Sequence, residues 1–307
     1  MGSPFGRLTL IANPGAGRGR VADELPEIER TLLSKGLEYR ILEESEPDGI
    51  TGLALASLEE GDRFLVAVGD DLTVLDVVNG MMRDDGPVSP DAVLGVVAAG
   101  AGCDFLRTFG LPGDATRATT VLEGDKLFPI DVGKVTVAGQ DGTPAVRYFP
   151  GVAQVGMGAS MVARADRLPR ALGRARYFAG FWSTLATFRA AEFRVRAGSK
   201  EFSGAGRTAV VANCQYHGEG RRISPRSWPS DGLLDVLVMT GPRSDAFTRL
   251  PAIYQGDHLP DPNIVEMKGR TIEVATDRPL EVEADGRVLG TTPATFEVLR
   301  LALRLKI

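Results

Sequence analysis

Thiol and imidazole side chains are scarce in this chain: its 307 residues include two cysteines, Cys103 and Cys214, and two histidines, His217 and His258. Two cysteines far apart in the sequence imply no disulfide framework and fit a reducing cytosol. Two histidines cannot build a zinc centre by themselves. Long apolar runs are missing too. The longest, Ala92 to Ala101, is broken by glycine and falls short of the roughly 20 residues that a membrane-spanning helix needs. No secretory leader is recognisable, and Met1-Gly2 lacks the Ser or Thr that myristoylation expects at position six, so membrane contact is expected to be peripheral. A positive overall charge is also lacking. The formal charge of -5 and the pI near 5.3 argue against a general nucleic-acid binder.

What the chain does have is apolar content, 43% of its residues, enough for a substantial core in one large domain or two. Its charge is unevenly spread. From Met161 to Arg226 there are 13 Arg or Lys against 4 Asp or Glu, a local balance of +9 that leaves -14 for the rest. A basic region in an acidic protein suits anionic lipid headgroups or a polyphosphate, and arginine, the commoner cation here, suits bidentate phosphate contacts. A solvated charged surface is the plain alternative.

Through the first 130 residues strand-like and helix-like segments alternate. Leu8 to Ala12, Tyr39 to Leu42, Phe64 to Val68 and Leu94 to Ala98 read as strands. Ala22 to Ser34, Gly49 to Leu58, Val74 to Met82 and Asp104 to Phe109 read as helices. That rhythm predicts a doubly wound sheet with helices on both faces. After Ile130-Asp131-Val132-Gly133 it changes. Val146 to Phe149, Phe193 to Ala197, Thr208 to Ala212, Leu234 to Met239, Thr271 to Ala275 and Leu280 to Ala284 are strand-like, and one helical insert runs from about Met161 to Ala191. This second part reads as mainly antiparallel β.

Three turns in the first part carry chemistry. Val68-Gly69-Asp70-Asp71-Leu72-Thr73 leaves a strand and opens a helix, a place where α/β proteins bind phosphorylated ligands. Capping of that helix by Asp70, Asp71 and Thr73 explains the same residues without a ligand. Asn13-Pro14-Gly15-Ala16-Gly17-Arg18-Gly19 follows the first strand. Its glycines let backbone amides approach phosphate, although the spacing is neither a Walker loop nor a dinucleotide fingerprint and a tight turn accounts for it equally. Glu43 or Glu44 could supply the acid of a dinucleotide site, which keeps a nicotinamide-binding protein as a rival. Ala99-Gly100-Ala101-Gly102-Cys103-Asp104-Phe105 is a second glycine turn, with Asp104 either a site residue or a helix cap. The carboxyl ends of parallel strands lie together, so these turns should converge on one edge.

The three turns, with Val77-Val78-Asn79-Gly80 and Ile130-Asp131-Val132-Gly133, resemble the diacylglycerol kinase catalytic domain. The resemblance continues through Gly156 and Gly158, Leu172-Gly173 with Tyr177, Ala212-Asn213 to Pro225, Asp231-Gly232-Leu233-Leu234-Asp235, Tyr254-Gln255-Gly256-Asp257-His258 and Ala284-Asp285-Gly286. It covers essentially the whole chain and points to the soluble bacterial lipid kinases, relatives of sphingosine kinases and, more distantly, of NAD kinases. It implies an α/β nucleotide-binding domain over residues 1–133, a β-sandwich lipid-substrate domain over 134–295 with a cleft between them, and a C-terminal segment, 296–307, returning to the first. It also implies ATP and Mg²⁺, a lipid substrate at a membrane surface, and cytoplasmic residence with peripheral attachment at the inner membrane. A homodimer is left open, and no nucleic-acid partner is implied.

By position, Asp71 matches the acid and Thr73 the hydroxyl of the family's Gly-Gly-Asp-Gly-Thr motif, and Asp104 matches the acid of Gly-Thr-Gly-Asn-Asp. Nucleotide contacts are expected from Asn13, Pro14, Gly15, Gly17, Gly69, Asp70, Thr73, Gly100, Ala101, Gly102 and Asp104. Catalytic roles are expected of Asp71, Asp285 and Arg287, and Asp231 and Asp235 lie in the segment that supplies a structural magnesium site. Several positions depart from the pattern. Asp70 and Leu72 replace glycines, Ala101 and Cys103 replace Thr and Asn, and Glu219 interrupts a glycine run. Arg287 stands where the family has the glutamate of Asp-Gly-Glu, a proposed base for the lipid hydroxyl, and arginine cannot take a proton. Glu283 lies on the same strand face as Asp285 and is a candidate substitute. The expected activity is phosphoryl transfer from ATP to a diacylglycerol-like lipid. A catalytically impaired nucleotide- or lipid-binding regulator is the alternative.

Overall fold

The computed structural model describes residues 3–99, 102–138, 143–169, 172–173 and 175–307, with backbone alone at Arg18. The chain forms two compact units, Met1–Val132 with Leu299–Ile307, and Gly133–Val298. Among the described residues no helix is long and apolar enough to cross a membrane.

In the first unit the elements run β1 (Leu8–Ala12), α1 (Arg20–Ser34), β2 (Tyr39–Glu43), α2 (Pro47–Glu59), β3 (Phe64–Gly69), α3 (Asp71–Met81), the short strands β4 (Met82–Arg83) and β5 (Gly86–Pro87), β6 (Val93–Ala98), α4 (Asp104–Thr108) and α5 (Ala115–Val121). Strands β2, β1, β3 and β6 lie side by side, all parallel. Every residue of β1, β3 and β6 is buried, as continuous apolar runs require when both sheet faces are covered. One face, with Leu8, Leu10, Phe64, Val66, Val68, Val93 and Val97, packs against α1 and α5. Helix α1 buries Val21, Leu25, Ile28 and Leu32 at spacings of three and four, and each such side chain contributes about 1.5–3 kcal/mol. On the other face α2 and α3 pack on β1 and β3. These helices approach closely because residue 80 is glycine; a Cβ there would strike the Thr51 carbonyl and Ala54.

The second unit is antiparallel. Strand β7 (Leu127–Ala138) carries the chain into it, and β8 (Pro144–Phe149), β9 (Val152–Gly156), α6 (Met157–Asp166), α7 (Ala175–Thr187), β10 (Ala191–Ala197), β11 (Lys200–Gly206), β12 (Thr208–Ala212), β13 (Leu234–Met239), α8 (Asp245–Thr248), α9 (Leu250–Gln255), β14 (Ile264–Gly269), β15 (Thr271–Thr276), β16 (Glu281–Ala284) and β17 (Arg287–Lys306) follow. Strand β17 pairs with β16 over Arg287 to Thr291, then with β15 over Ala294 to Glu297, so one long strand serves two neighbours in turn. Its last residues belong to the first unit, where Arg304 and Leu305 pair in parallel with Val93 and Leu94 of β6. The single helical insert expected from about Met161 to Ala191 is two helices, α6 and α7. They meet at Gly180, where a Cβ would press on the Met161 carbonyl. Helix α5 and strands β11 and β14 add to the expected elements.

Candidate active site

Register brings the turns of the first unit together. Ala12 lies opposite Val68, Val68 opposite Val97 and Gly69 opposite Ala98, so the turns after β1, β3 and β6 leave the same edge. Backbone hydrogen bonds lock them there, from Asn13 N–H to the Val68 carbonyl at 3.2 Å and from Ala99 N–H to the Gly69 carbonyl at 3.0 Å.

In the turn after β3 the two aspartates serve different helices. Asp70 is the N-cap of α3, its carboxylate accepting from the Thr73 N–H and Thr73 hydroxyl, both at 3.2 Å. Thr73 is fully buried, and Gly69 has no room for a side chain because Thr73 lies against it. The half-buried Asp71 reaches across to the next turn. Its carboxylate accepts from the backbone N–H of Asp104 at 3.0 Å, the N–H of Phe105 at 2.9 Å and the thiol of Cys103 at 3.1 Å. Thus Asp71 fills the N-terminus of α4, satisfying donors that the helix itself leaves open. Burial, and then the like charge of Asp104, hold the Asp71 carboxyl above the usual carboxylate range against the pull of those donors. Burial and Asp71 together push the Cys103 thiol well up, so it stays protonated and donates. Asp104 is buried and pairs with Arg107 at 3.1 Å.

The turn after β1 is built differently. Asn13 Oδ1 accepts from Gly15 N–H at 3.1 Å, and Gly17 and Gly19 adopt φ of 59° and 84°, where a side chain would be strained. Helix α1 then begins with no side chain capping it. Asn13, Pro14 and Gly17 are half-buried and Gly15 is exposed. Gly102 completes the edge with φ of 95°. Gly100 and Ala101 lie outside the described residues.

In the second unit the expected residues also have structural partners. Asp285 is buried with φ of 46°, and its carboxylate accepts from Gly151 N–H at 3.1 Å and Val152 N–H at 2.7 Å, fastening the start of β9. Arg287, half-buried, opens β17 opposite Ala284. Beside them lies a pair of groups that the motifs did not single out together. Glu283, with no exposed surface, accepts from Gly286 N–H at 2.9 Å, and its other oxygen lies 3.0 Å from His217 Nε2. The loop bearing His217 turns through three left-handed residues, Gly218, Glu219 and Gly220, with φ of 75°, 65° and 87°. At Glu219 that conformation costs about 1–2 kcal/mol.

Asp231 and Asp235 share a lysine. Lys268 Nζ lies 3.1 Å from Asp231 and 3.2 Å from Asp235. Lys268 sits directly opposite Asp235 in the β13–β14 register, so the ammonium occupies the space between the carboxylates. Among the described residues, no cluster of three or more His, Cys, Asp or Glu side chains is placed to hold a metal. The donor set at Asp231 and Asp235 does not fit a divalent cation while that ammonium is present.

The model of the diacylglycerol kinase catalytic domain matches residues 7–135, and that of the YegS C-terminal NAD kinase beta sandwich-like domain matches residues 151–307. The chain belongs to the family of the YegS C-terminal domain, whose model covers just over half of it, and its first part matches the diacylglycerol kinase catalytic domain. A Mycobacterium tuberculosis protein named diacylglycerol kinase (strain CDC 1551 / Oshkosh) is 27% identical, over 98% of this chain and 95% of its own length. One from Bacillus subtilis (strain 168) is 26% identical, over 94% and 92%. Among solved structures, a diacylglycerol kinase from Bacillus anthracis str. Sterne covers 99% of this chain and 97% of its own at a TM-score of 0.71 and 20% identity. Yeast NADH kinase complexed with NADH covers 98% and 83% at 0.53 and 11%. Both structures share the fold, an α/β unit followed by a β-sandwich-like unit, as the family resemblance implies.

Within the family pattern, the residues that sequence reasoning passed over are partners rather than motif members. Cys103 stands where the family has asparagine, and its thiol still donates to Asp71. The signal for Lys268 was available, as a lone cation in a strand-like run, but its partner was fixed only by strand register.

Proposed function

We propose that this chain is an ATP-dependent lipid kinase that transfers the γ-phosphoryl group of ATP to the hydroxyl of a diacylglycerol-like lipid. The observation that carries the reading is the division of labour at the sheet edge. Of the helices that start there, α3 is capped by Asp70 and α4 by Asp71, whereas α1 opens from the glycine turn with no side-chain cap. An uncapped helix start behind left-handed glycines suits phosphate. The like negative charges of Asp71 and Asp104 suit a cation instead, so the edge fits a nucleotide brought as its magnesium complex. When bound, that complex supplies the phosphoryl group and neutralises charge developing on it.

The chain's own residues orient and enclose. Asp70 and Thr73 fix the start of α3, and Asp71 ties the turn after β3 to the turn after β6, so the two are positioned as one piece. Asn13 shapes the glycine turn through Gly15. The guanidinium of Arg287 has donors only, which suits phosphate rather than proton transfer.

A lipid acceptor calls for a surface that meets a membrane. Helix α7 offers Phe178 and Trp182, 68% and 43% exposed, with Phe247 of α8, 53% exposed, against Trp182. At its C-terminal end, Arg164 and Arg243 donate to the Ser183, Leu185 and Ala186 carbonyls. Aromatic rings rimmed by arginine suit an anionic bilayer interface.

Transfer of labelled γ-phosphate from ATP-Mg²⁺ to diacylglycerol in mixed micelles tests the proposal. A labelled lipid made by the unaltered protein and not by D71A supports it. Tight ATP binding with no labelled product from any lipid extract would instead favour the regulatory, catalytically impaired reading suggested by Arg287.

A further inference from the structure

Part of the basic stretch from Met161 to Arg226 lines a pocket of about 510 Å³ that lies wholly within the second unit. That volume is in the range of small-molecule sites. Ser160 and Arg164 come from α6, Thr187 ends α7 with Arg189 just after it, and Arg278 and Glu281 flank the turn into β16. The fold holds two of the three arginines. Arg164 Nη1 donates to the Ser183 carbonyl at 2.9 Å and to the Thr187 hydroxyl at 2.6 Å. Arg278 donates to the Arg189 and Ala190 carbonyls at 2.6 and 3.1 Å and lies 3.6 Å from Asp277. A guanidinium has five N–H donors, so these bonds fix each group and leave donors over. Nε and Nη2 of Arg164 bond nothing among the described residues, and neither does the exposed guanidinium of Arg189. The lining also holds an acid. Glu281 Oε2 accepts from the buried Ser160 hydroxyl at 2.5 Å, while Oε1 accepts nothing and no ion pair joins Glu281 to the arginines among the described residues. Bracing the C-terminal end of α7 accounts for Arg164, and fastening the turn between β15 and β16 accounts for Arg278. Neither accounts for Arg189 or for the free Glu281 oxygen.

We propose that this pocket binds a phosphate ester whose other end carries an N–H or O–H donor, phosphoethanolamine being the simplest. The phosphate meets the spare donors of Arg164, Arg189 and Arg278, in the forked, charge-assisted geometry that guanidinium favours. The ammonium meets the free oxygen of Glu281. Inorganic phosphate satisfies only the arginine side and is repelled by Glu281, so the acid turns a general anion pocket into one selective for a ligand with two unlike ends. Such an ester exists both free in solution and as a lipid headgroup, and the pocket offers the same groups to either. The proposal stands apart from the lipid-kinase reading, because every lining residue belongs to the second unit and none to the nucleotide edge.

Calorimetric titration of the full chain with phosphoethanolamine and with inorganic phosphate tests it, using the unaltered protein, R189E and E281A. The unaltered protein should bind phosphoethanolamine about tenfold more tightly than phosphate, the value of one added hydrogen bond to a charged group. R189E should weaken both by about 10- to 100-fold with ATP affinity unchanged. E281A should erase the preference, tightening phosphate and loosening phosphoethanolamine. Amide NMR shifts in the unaltered protein supply the same answer without a variant: they should gather at residues 160–164, 187–190 and 278–281. Cosedimentation with phosphatidylcholine vesicles, with and without phosphatidylethanolamine, separates the two sources. Binding gained with phosphatidylethanolamine and lost in R189E makes the ligand a headgroup, whereas binding of the free ester alone makes it a soluble metabolite. The proposal is overturned if phosphoethanolamine binds no better than phosphate, if R189E binds it as well as the unaltered protein does, or if the shifts fall in the first unit; the arginines are then braces of α7 alone. Absence of ATP binding would end the kinase reading and leave this one standing.

Discussion

At the scale of single residues, Asp71 shows how one carboxylate serves architecture and chemistry at once. Both its oxygens are engaged by donors from the turn after β6. Asparagine keeps one accepting oxygen and turns an amide N–H₂ toward a backbone N–H, leaving donors unmatched at about 1–3 kcal/mol. D71N is therefore expected to lower the urea midpoint by that amount as well as stop turnover; an unchanged midpoint would remove the clamp from the account. His217 gives a second, pH-dependent expectation. Its pKa is raised on folding from 6.5. The resulting stability is therefore fully present below 6.5 and is lost as pH rises through the folded value. Unfolding free energy measured across that window should fall with pH in the unaltered protein, and H217Q should flatten the fall. The motif residues themselves were legible in sequence. Their partners were not, because Asp71 to Cys103 and Glu283 to His217 are contacts between segments that only the fold brings together.

At the scale of elements, apolar continuity marked β1, β3, β6, β12 and β13, whose residues are nearly all buried. Strand β11, Lys200–Gly206, is glycine-containing and largely exposed, and α5, Ala115–Val121, spans only about two turns and holds three threonines, so neither carried a periodic signal. Pair β13–β14 supplies a third expectation. Lys268 bridges Asp231 and the buried Asp235, and the two acids outweigh burial to hold its ammonium above the ordinary range. A chelator should leave the melting temperature of the unaltered protein unmoved. K268A should lose about 1–3 kcal/mol, since Asp235 is left without its cation, and regain part of it in millimolar magnesium. A chelator-sensitive unaltered protein would show that a metal, not the ammonium, balances these acids. Helix α7 supplies a fourth. Its inward residues Gly180 and Thr184 are buried, and its outward rings Phe178 and Trp182 are not. F178S/W182S should bind phosphatidylglycerol vesicles more weakly while retaining turnover in detergent micelles. Binding that is equal for neutral vesicles, or insensitive to salt, would remove the arginine rim from the explanation.

At the scale of the whole molecule, the chain's return to its first unit is what local sequence shows least. Residues 287–306 form one strand despite Gly290, two adjacent threonines and Pro293, so its length could not be read from alternation. What closes the first unit is its final stretch. Leu303, Leu305 and Lys306 are buried, Leu305 continues the parallel ladder beside β6, and Leu301, at a strained φ of 48°, gives its N–H to the fully buried Asp131 at 2.7 Å. Burial of the two leucines contributes about 1.5–3 kcal/mol each. Losing the Leu301 donor to Asp131 adds about 1–3 kcal/mol. The sum approaches the whole stability of an ordinary domain, about 5–15 kcal/mol, and removal also bares the edge of β6 to association. Deleting residues 299–307 should therefore abolish cooperative unfolding of the first unit while amides of β12 and β13 in the second keep their protection from hydrogen exchange. Retained protection in β1 and β3 would mean that the parallel sheet closes without its last strand. Protection lost equally from both units would mean that neither folds without the other, and the returning strand would then be a determinant of the entire chain.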